Sequence, residues 1–250
     1  MATVQTLHHR PEMRVSLRFG AVVMMILGGC LLTPALLPTG SVPELSARAN
    51  AFDYATYDGL WSLGNRDNSP LEWGHDQPEH GLFRWSDAGL IGGIFYAIGD
   101  LNCHQKHERS HMVNGNQIPM CARDVGILAG LLLGAVIFGR RGNNRWTSTD
   151  TILSILPESL LIHVYRTNRR RLALITLGAI TLIPLVLDGF TQLLTPYEST
   201  NLLRILTGIP FGWMIGVGFL GMLCARPDAF SGDPTRVELP GNARFITEEE

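Results

Sequence analysis

Four long apolar segments alternate with polar stretches along the 250-residue chain. They run from Phe19 to Leu37, Pro119 to Gly139, Leu172 to Tyr197 and Ile205 to Ala225, and they contain few charged residues. Each has roughly the 20 apolar residues that an α-helix needs to cross about 30 Å of hydrocarbon. The pattern therefore predicts an all-α fold, a polytopic transmembrane helical bundle with four spans.

A fifth apolar stretch, Ala88–Gly99, is shorter and lies between Asp87 and Asp100. Its length is too small for a comfortable crossing, so it is interpreted as an interfacial or re-entrant helix. The alternative, that this stretch also crosses, would move the N-terminus to the other side of the membrane.

The distribution of arginine predicts the orientation of the bundle. Short cytoplasmic loops are enriched in Lys and Arg, and seven arginines lie between the second and third spans: Arg140, Arg141, Arg145, Arg166, Arg169, Arg170 and Arg171. Three more precede the first span. We therefore expect a plasma-membrane protein with both ends in the cytoplasm. A cleaved signal peptide ending near Ala47-Arg48-Ala49 is an alternative, which the length of the first apolar run disfavours.

Five regions follow from this organisation. They are a cytoplasmic arm (1–18), the first span (19–37), an acidic extracytoplasmic loop (38–87), a membrane core (88–225) and a flexible, solvated cytoplasmic tail (226–250). Charged residues make up 17% of the chain, against roughly 25% in an average soluble domain. The net charge of −2 provides no basic field for nucleic acid, so the expected partner is the lipid bilayer.

Glycine recurs at four-residue spacing on the second and fourth spans, at Gly126, Gly130 and Gly134 and at Gly208, Gly212 and Gly216. Such rows let helix backbones approach closely in lipid. We expect these two helices to pack against each other or against a symmetry mate, through which the chain would form a homo-oligomer or join a membrane complex.

The densest polar run of the chain is Cys103–His111, and it is followed by Cys121–Asp124 where the second span begins. Because the second span leads away from this run and the third returns, the end of the third span lies on the same side. The candidate functional cluster therefore comprises Cys103, His104, Gln105, Arg109, Ser110, Cys121, Arg123, Asp188, Gln192 and Arg204.

Asp188 is the one charged residue inside the third span. It lies about 25 Å along the helix from Arg171, just inside the apolar zone. A carboxylate in hydrocarbon is costly, so we expect Asp188 to face the bundle and pair with Arg123 or Arg204.

Several of these positions resemble a known family. Cys103-His104-Gln105 with Arg109-Ser110, and then Met120-Cys121-Ala122-Arg123 with Gly126, resemble the core of a prokaryotic membrane protein family, domain of unknown function 2085. Further likeness to its second half lies in Asp188-Gly189 with Gln192, Ser199-Thr200, Leu203-Arg204 and Thr207-Gly208. The resemblance covers about Ala88 to Ala225. It implies a small helical membrane protein without an established activity.

Four interpretations of the Cys/His cluster remain open. Cys103, His104 and Cys121 could bind zinc, which favours thiolate and imidazole ligands, with Asp188 as an optional further ligand. Cys103 and Cys121 could instead form a disulfide in an oxidising exterior or a reactive thiol pair. In the fourth interpretation, the polar groups only hydrogen-bond the loop to the helix ends.

The leading functional hypothesis is an accessory or structural membrane protein whose polar cluster shapes the extracytoplasmic mouth of the bundle. One alternative is a membrane-embedded metal- or thiol-dependent enzyme that uses Cys103, His104 and Cys121. Another is a small-solute or ion carrier that uses Asp188 as its intramembrane charge. The sequence leaves open whether the chain is an enzyme and names no catalytic residue.

Overall fold

The computed structural model describes residues 10–44, 55, 83–103 and 107–245. Within these residues the chain forms seven α-helices and one two-stranded antiparallel sheet. The helices are α1 (Pro11–Leu36), α2 (Gly89–Asn102), α3 (Ala122–Arg141), α4 (Ser148–Leu153), α5 (Glu158–Arg166), α6 (Arg170–Leu194) and α7 (Asn201–Cys224). The strands are β1 (Ser110–Val113) and β2 (Asn116–Cys121).

Four of the helices in the described residues, α1, α3, α6 and α7, are long and apolar enough to cross a membrane. The predicted fold class of a four-span helical membrane protein is confirmed. The first helix starts earlier than its apolar run, at Pro11, because proline suits the first position of a helix. Helix α2 has 14 residues, which corresponds to roughly 21 Å and is short of a full crossing.

The chain divides into two compact units. The first unit comprises Met1–Val23, Ala129–Thr191 and Ile209–Glu250, and the second comprises Met24–Leu128 and Gln192–Gly208.

In the first unit, α3 and α7 form an apolar core together with α4. Phe138, Val217 and Leu220 are completely buried there, and Ile152 of α4 packs against them. A Cβ atom at Gly221 would overlap the Ile152 side chain, so α4 can approach α7 only because that position is glycine.

The chain after α7 is the segment for which we expected a flexible tail. It forms three short 3₁₀ turns, each of which begins with a proline. Val237 and Leu239 are buried in a cluster with Leu161 and Tyr165 of α5. The tail is therefore held through residue 245 because its apolar side chains cover the apolar face of α5.

Close backbone contacts hold α3 against α7 in the first unit. A Cβ atom at Gly130 would overlap the Ile209 carbonyl oxygen and lie 2.7 Å from the Trp213 nitrogen. A Cβ atom at Gly134 would lie 2.9 Å from the Trp213 oxygen, and one at Gly216 would lie 3.0 Å from the Leu131 oxygen.

The same two helices meet through glycine in the second unit. A Cβ atom at Gly126 would overlap the Ile205 carbonyl oxygen, and one at Gly208 would lie 2.6 Å from the Arg123 oxygen. Both predicted glycine rows are thus used inside one chain, so a second copy would have to use another surface.

Residues 110–121 of the second unit form a β-hairpin, where we had expected a loop followed by a helix from Pro119. The two-residue turn is Asn114-Gly115, and both residues have positive φ angles, of 52° and 71°. Two successive left-handed residues give the tight turn whose twist matches that of paired strands, and Asn-Gly is its preferred sequence. The register pairs Val113 with Asn116 and Ser110 with Cys121.

A buried asparagine attaches the segment after α1 to this hairpin. The Asn116 side-chain nitrogen donates hydrogen bonds to the Pro34 and Pro38 carbonyl oxygens, at 2.9 and 3.0 Å. Its side-chain oxygen accepts one from the Val42 amide at 2.9 Å. Nearby, the Tyr96 hydroxyl of α2 donates to the Gln117 carbonyl oxygen at 2.7 Å, so α2 is joined to the same hairpin.

Because α3 and α7 contact each other through Gly130, replacing a glycine with alanine should affect stability in opposite directions at positions 130 and 178. Gly130→Ala should destabilise the protein by about 1–3 kcal/mol, because the new methyl group meets backbone that cannot move aside. Gly178→Ala is the matched control, because a Cβ atom there meets nothing within 4 Å. It should be neutral or stabilising by up to about 1 kcal/mol. Thermal unfolding of both variants in one detergent measures the difference, and equal midpoints would contradict the contact.

Candidate metal centre

Cys103 lies at the end of α2, where the backbone turns from helix to extended conformation. Its amide donates a hydrogen bond to the Gly99 carbonyl oxygen at 2.9 Å. A Cβ atom at Gly99 would overlap the carbonyl oxygen of Pro119 in β2. The absence of a side chain at Gly99 therefore lets the end of α2 come against the hairpin, and this contact places Cys103 beside the end of β2.

Cys121 is the last residue of β2, and α3 begins immediately after it. Its backbone amide donates a hydrogen bond to the Cys103 sulfur at 3.2 Å. Its thiol donates to a carboxylate oxygen of Asp124, in the first turn of α3, also at 3.2 Å. Three different elements thus meet at one point, and we call Cys103, Cys121 and Asp124 the Cys–Asp cluster.

The geometry of the Cys–Asp cluster suits a metal ion. One ligand atom from each residue can be chosen so that all three lie within 4.8 Å of one another. Around tetrahedral zinc, with Zn–S bonds of about 2.3 Å, two sulfur ligands lie about 3.8 Å apart. A side-chain adjustment of about 1 Å would therefore bring the three atoms to coordination distance. Both cysteines are present as thiols in the structure.

The electrostatic surroundings favour the thiolate form of Cys121. A hydrogen bond from the Cys103 thiol holds the pKa of Cys121 below its usual range, although burial and the charge of Asp124 act in the opposite direction. The thiolate is the form of cysteine that binds metals and attacks electrophiles. Cys121 is partly exposed, whereas Cys103 is only 5% exposed, so Cys121 is the more accessible of the two sulfurs.

A polar network joins the hairpin to the start of α7. Arg204 is 3% exposed and donates a hydrogen bond to the Asn201 side-chain oxygen at 3.0 Å. The Asn201 side-chain nitrogen in turn donates to the Ser110 carbonyl oxygen at 3.1 Å. Since Ser110 pairs with Cys121 across the hairpin, this network supports the strand that carries the Cys–Asp cluster.

The second unit contains many of the predicted site residues. Those that the structure describes there are Cys103, Arg109, Ser110, Cys121, Arg123, Gln192 and Arg204. His104 and Gln105, by contrast, lie outside the described residues. Arg109 is half-buried at the end of a short 3₁₀ turn, and Arg123 is half-buried in the first turn of α3.

Asp188 belongs to the first unit and not to the unit that carries Cys103 and Cys121. It is 7% exposed within α6. Its pairing with Arg123 or Arg204 stays a prediction.

Two carboxylates near the site were missed by reasoning from the sequence. Asp124 was noticed beside Cys121 but was not included in the candidate cluster. Its spacing of three residues from Cys121, at the start of a helix, is the signal that could have placed them together. Asp100 is completely buried and accepts a hydrogen bond from the Trp85 ring nitrogen at 2.8 Å. No sequence signal pointed to that pairing.

The four spans define the class of this chain, a multi-pass helical membrane protein. The family model described as "Predicted membrane protein (DUF2085)" matches residues 103–218. The chain therefore belongs to this family of membrane proteins of unknown function, and the resemblance seen in the sequence is confirmed.

Two archaeal relatives are similar to the chain, and both are described only as uncharacterized. Protein MJ1492 of Methanocaldococcus jannaschii is 30% identical over 126 residues, which are 50% of this chain and 66% of that protein, just under two thirds of its length. A protein of Methanothermobacter thermautotrophicus is 34% identical over 118 residues, which are 47% of this chain and 82% of that protein. No solved structure matches the chain.

The hydrogen bond between the two thiols predicts how the reactivity of Cys121 depends on pH. Cys103→Ala removes the bond that stabilises the thiolate, so the pKa of Cys121 should rise and its alkylation profile should move to higher pH. Asp124→Asn should move the profile the other way, because the aspartate charge opposes ionisation. Alkylation of the Cys121 peptide with iodoacetamide, followed by mass spectrometry across a pH series, measures both. A shift in the same direction for both variants would contradict this account.

Proposed function

We propose that this chain is an accessory membrane protein that binds a transition-metal ion, zinc in the first instance, at the Cys–Asp cluster. The observation that carries the proposal is the convergence of three ligand atoms from three separate elements within 4.8 Å. Two thiolates and a carboxylate are ligands that zinc accepts. A bound ion would join the end of α2, the hairpin and the start of α3, and would stabilise their arrangement.

The presence of Asp124 favours a metal over a disulfide at this point. Its carboxylate accepts a hydrogen bond from the Cys121 thiol, and it would become a third ligand once that thiol loses its proton. A neighbouring carboxylate would play no part in a disulfide bond. The hydrogen bond from Cys103 that lowers the pKa of Cys121 acts in the same sense, because metals bind cysteine as the thiolate.

The coordination number decides between a structural and a catalytic site. Three protein ligands leave one tetrahedral position, and zinc sites with a fourth protein ligand are structural whereas those with a bound water are catalytic. His104 follows Cys103 directly in the sequence and is the candidate for the fourth position. We favour the closed, structural site, which corresponds to an accessory role.

We further propose that the protein resides in the plasma membrane with both ends in the cytoplasm. The seven arginines from the end of α3 to the start of α6 support this orientation, because short arginine-rich loops stay in the cytoplasm. The Cys–Asp cluster lies at the N-terminal end of α3, and one crossing separates it from those arginines. The metal site would then face the outside of the cell.

Metal analysis of the purified chain tests the proposal. After reduction and loading with zinc, one ion per chain should remain through gel filtration. Cys103→Ala and Cys121→Ala should each weaken binding by more than the roughly 10–100-fold that loss of an outer partner costs. With Co²⁺ in place of zinc, the wild type should show thiolate-to-metal charge-transfer absorption, which the two variants should lose.

Cys30→Ala and Cys224→Ala are the matched controls, because both residues lie in membrane spans and neither belongs to the Cys–Asp cluster. Each should retain the full metal content. His104→Ala reports on the fourth ligand by its effect on affinity. Metal content unchanged in the Cys103 and Cys121 variants would overturn the proposal, and so would thiol counting that finds a reducible Cys103–Cys121 pair without metal.

Cysteine labelling tests the orientation separately. In a chain with Ser at positions 103 and 121, one new cysteine is introduced at Met112 or at Asn168, both of which are exposed. A maleimide that cannot cross membranes should label Met112→Cys in intact cells and should label Asn168→Cys only after lysis. The reverse pattern would show that the orientation is inverted.

A further inference from the structure

A cavity of about 680 Å³ lies in the first unit, where α6 begins. Three consecutive arginines, Arg169 to Arg171, line it, together with the polar residues Thr147, Thr149 and Asn168. We call this cavity the arginine pocket. Its walls are rich in hydrogen-bond donors, which is the composition that binds an oxyanion.

Arg170 has a structural role in the wall of the arginine pocket. Its guanidinium lies 3.3 and 3.4 Å from the two carboxylate oxygens of Asp150, which is 1% exposed. The Tyr165 hydroxyl donates a further hydrogen bond to Asp150 at 2.6 Å, and the rings of Tyr165 and Phe245 lie 5.7 Å from the guanidinium carbon. The buried negative charge is therefore neutralised, so it does not repel an anion in the cavity.

Arg169 and Arg171 carry the positive charge that remains. Both are exposed, and neither forms a salt bridge with any residue in the described part of the chain. Planar guanidinium groups bind phosphate through paired hydrogen bonds. The pocket thus offers two uncompensated cations next to neutral donors.

An apolar surface continues from the pocket along a membrane span. Leu172 lines the pocket, and Leu172 and Ile175 are 54% and 67% exposed. Only 11% of the apolar window of α6 is buried within the protein, against 39% in α3 and in α7. The anionic group of a ligand in the pocket would therefore bind the arginines, and an apolar part of the same ligand could pack along the exposed face of α6.

We propose that the arginine pocket binds the phosphate headgroup of an anionic phospholipid, with its acyl chains along the exposed face of α6. The charge of Arg169 and Arg171 selects an anionic over a zwitterionic headgroup, and basic pockets beside membrane helices bind anionic lipids in this way. The exposed apolar face of α6 favours a lipid over a soluble phosphate, because only the lipid has acyl chains that can pack against it. This site is independent of the Cys–Asp cluster and of the metal that we propose there.

Native mass spectrometry of the delipidated full chain tests the site. The protein is offered equal amounts of phosphatidylglycerol and phosphatidylcholine with identical acyl chains. The wild type should retain phosphatidylglycerol preferentially. In an Arg169→Gln/Arg171→Gln variant, the ratio of bound phosphatidylglycerol to bound phosphatidylcholine should fall by roughly 10- to 30-fold. An Arg140→Gln/Arg141→Gln variant removes the same charge from the exposed end of α3 and should keep the preference.

Two further measurements make the outcome decisive. An Arg169→Lys/Arg171→Lys variant keeps the charge and should retain most of the preference, which also shows that substitution at these exposed positions leaves the fold intact. Millimolar inorganic phosphate should not displace the lipid, because it lacks the apolar contact with α6. The proposal is overturned by equal losses in both glutamine variants, by no preference in the wild type, or by displacement with inorganic phosphate.

Discussion

The hydrocarbon of a bilayer offers no hydrogen-bond partner to a peptide group, and this constraint shapes the whole chain. Every backbone polar group inside the membrane must be satisfied within its own helix, so the four apolar segments are helical. Because lipid is as apolar as the side chains, helices associate there through close van der Waals contact. Here α3 and α7 are in such contact, because their glycines lack the Cβ atoms that would keep the two backbones apart. In the part of the chain that the structure describes, irregular and extended backbone lies outside the four spans, and the hairpin lies between two of them.

Where hydrophobicity alone decides the structure, the sequence predicted it well. The four spans and the short α2 follow from the lengths of the apolar runs, and the spacing of the glycines anticipated that α3 and α7 meet. The hairpin was missed because Pro119 and Met120 are apolar and were counted with the span that follows. Asn114-Gly115 was the available signal, since this dipeptide favours the two-residue turn between paired strands.

The site was harder to predict because it depends on contacts between elements that are separated in the sequence. Cys103 and Cys121 were selected together, but their partner Asp124 becomes evident only once α3 is seen to begin at Ala122. The buried state of Asp150 could not be read from the sequence either, since a polar residue at the start of a helix usually indicates a cap. In the structure Thr147 is that cap, and Asp150 instead forms a salt bridge with Arg170. The burial of Val237 and Leu239 depends on the apolar face of α5, which the tail sequence alone does not indicate.

The family match begins at Cys103 and ends at residue 218. It therefore includes the Cys–Asp cluster, the hairpin and the three arginines at the start of α6, and it excludes α1 and the tail that covers α5. The residues of the Cys–Asp cluster and the arginines of the arginine pocket lie within the matched region, whereas Phe245, which also lines the pocket, belongs to the tail outside it.

Helix α6 differs from the other spans of the family core because it buries so little of its surface within the chain. Its first turn is fixed by Arg170 and Asp150, but most of its length faces outward. A helix that buries little of its surface within the protein can change its tilt at modest cost when the thickness of the surrounding hydrocarbon changes. The same protein would therefore adopt a different inclination of α6 in thin and thick membranes, while α3 and α7 kept their mutual packing.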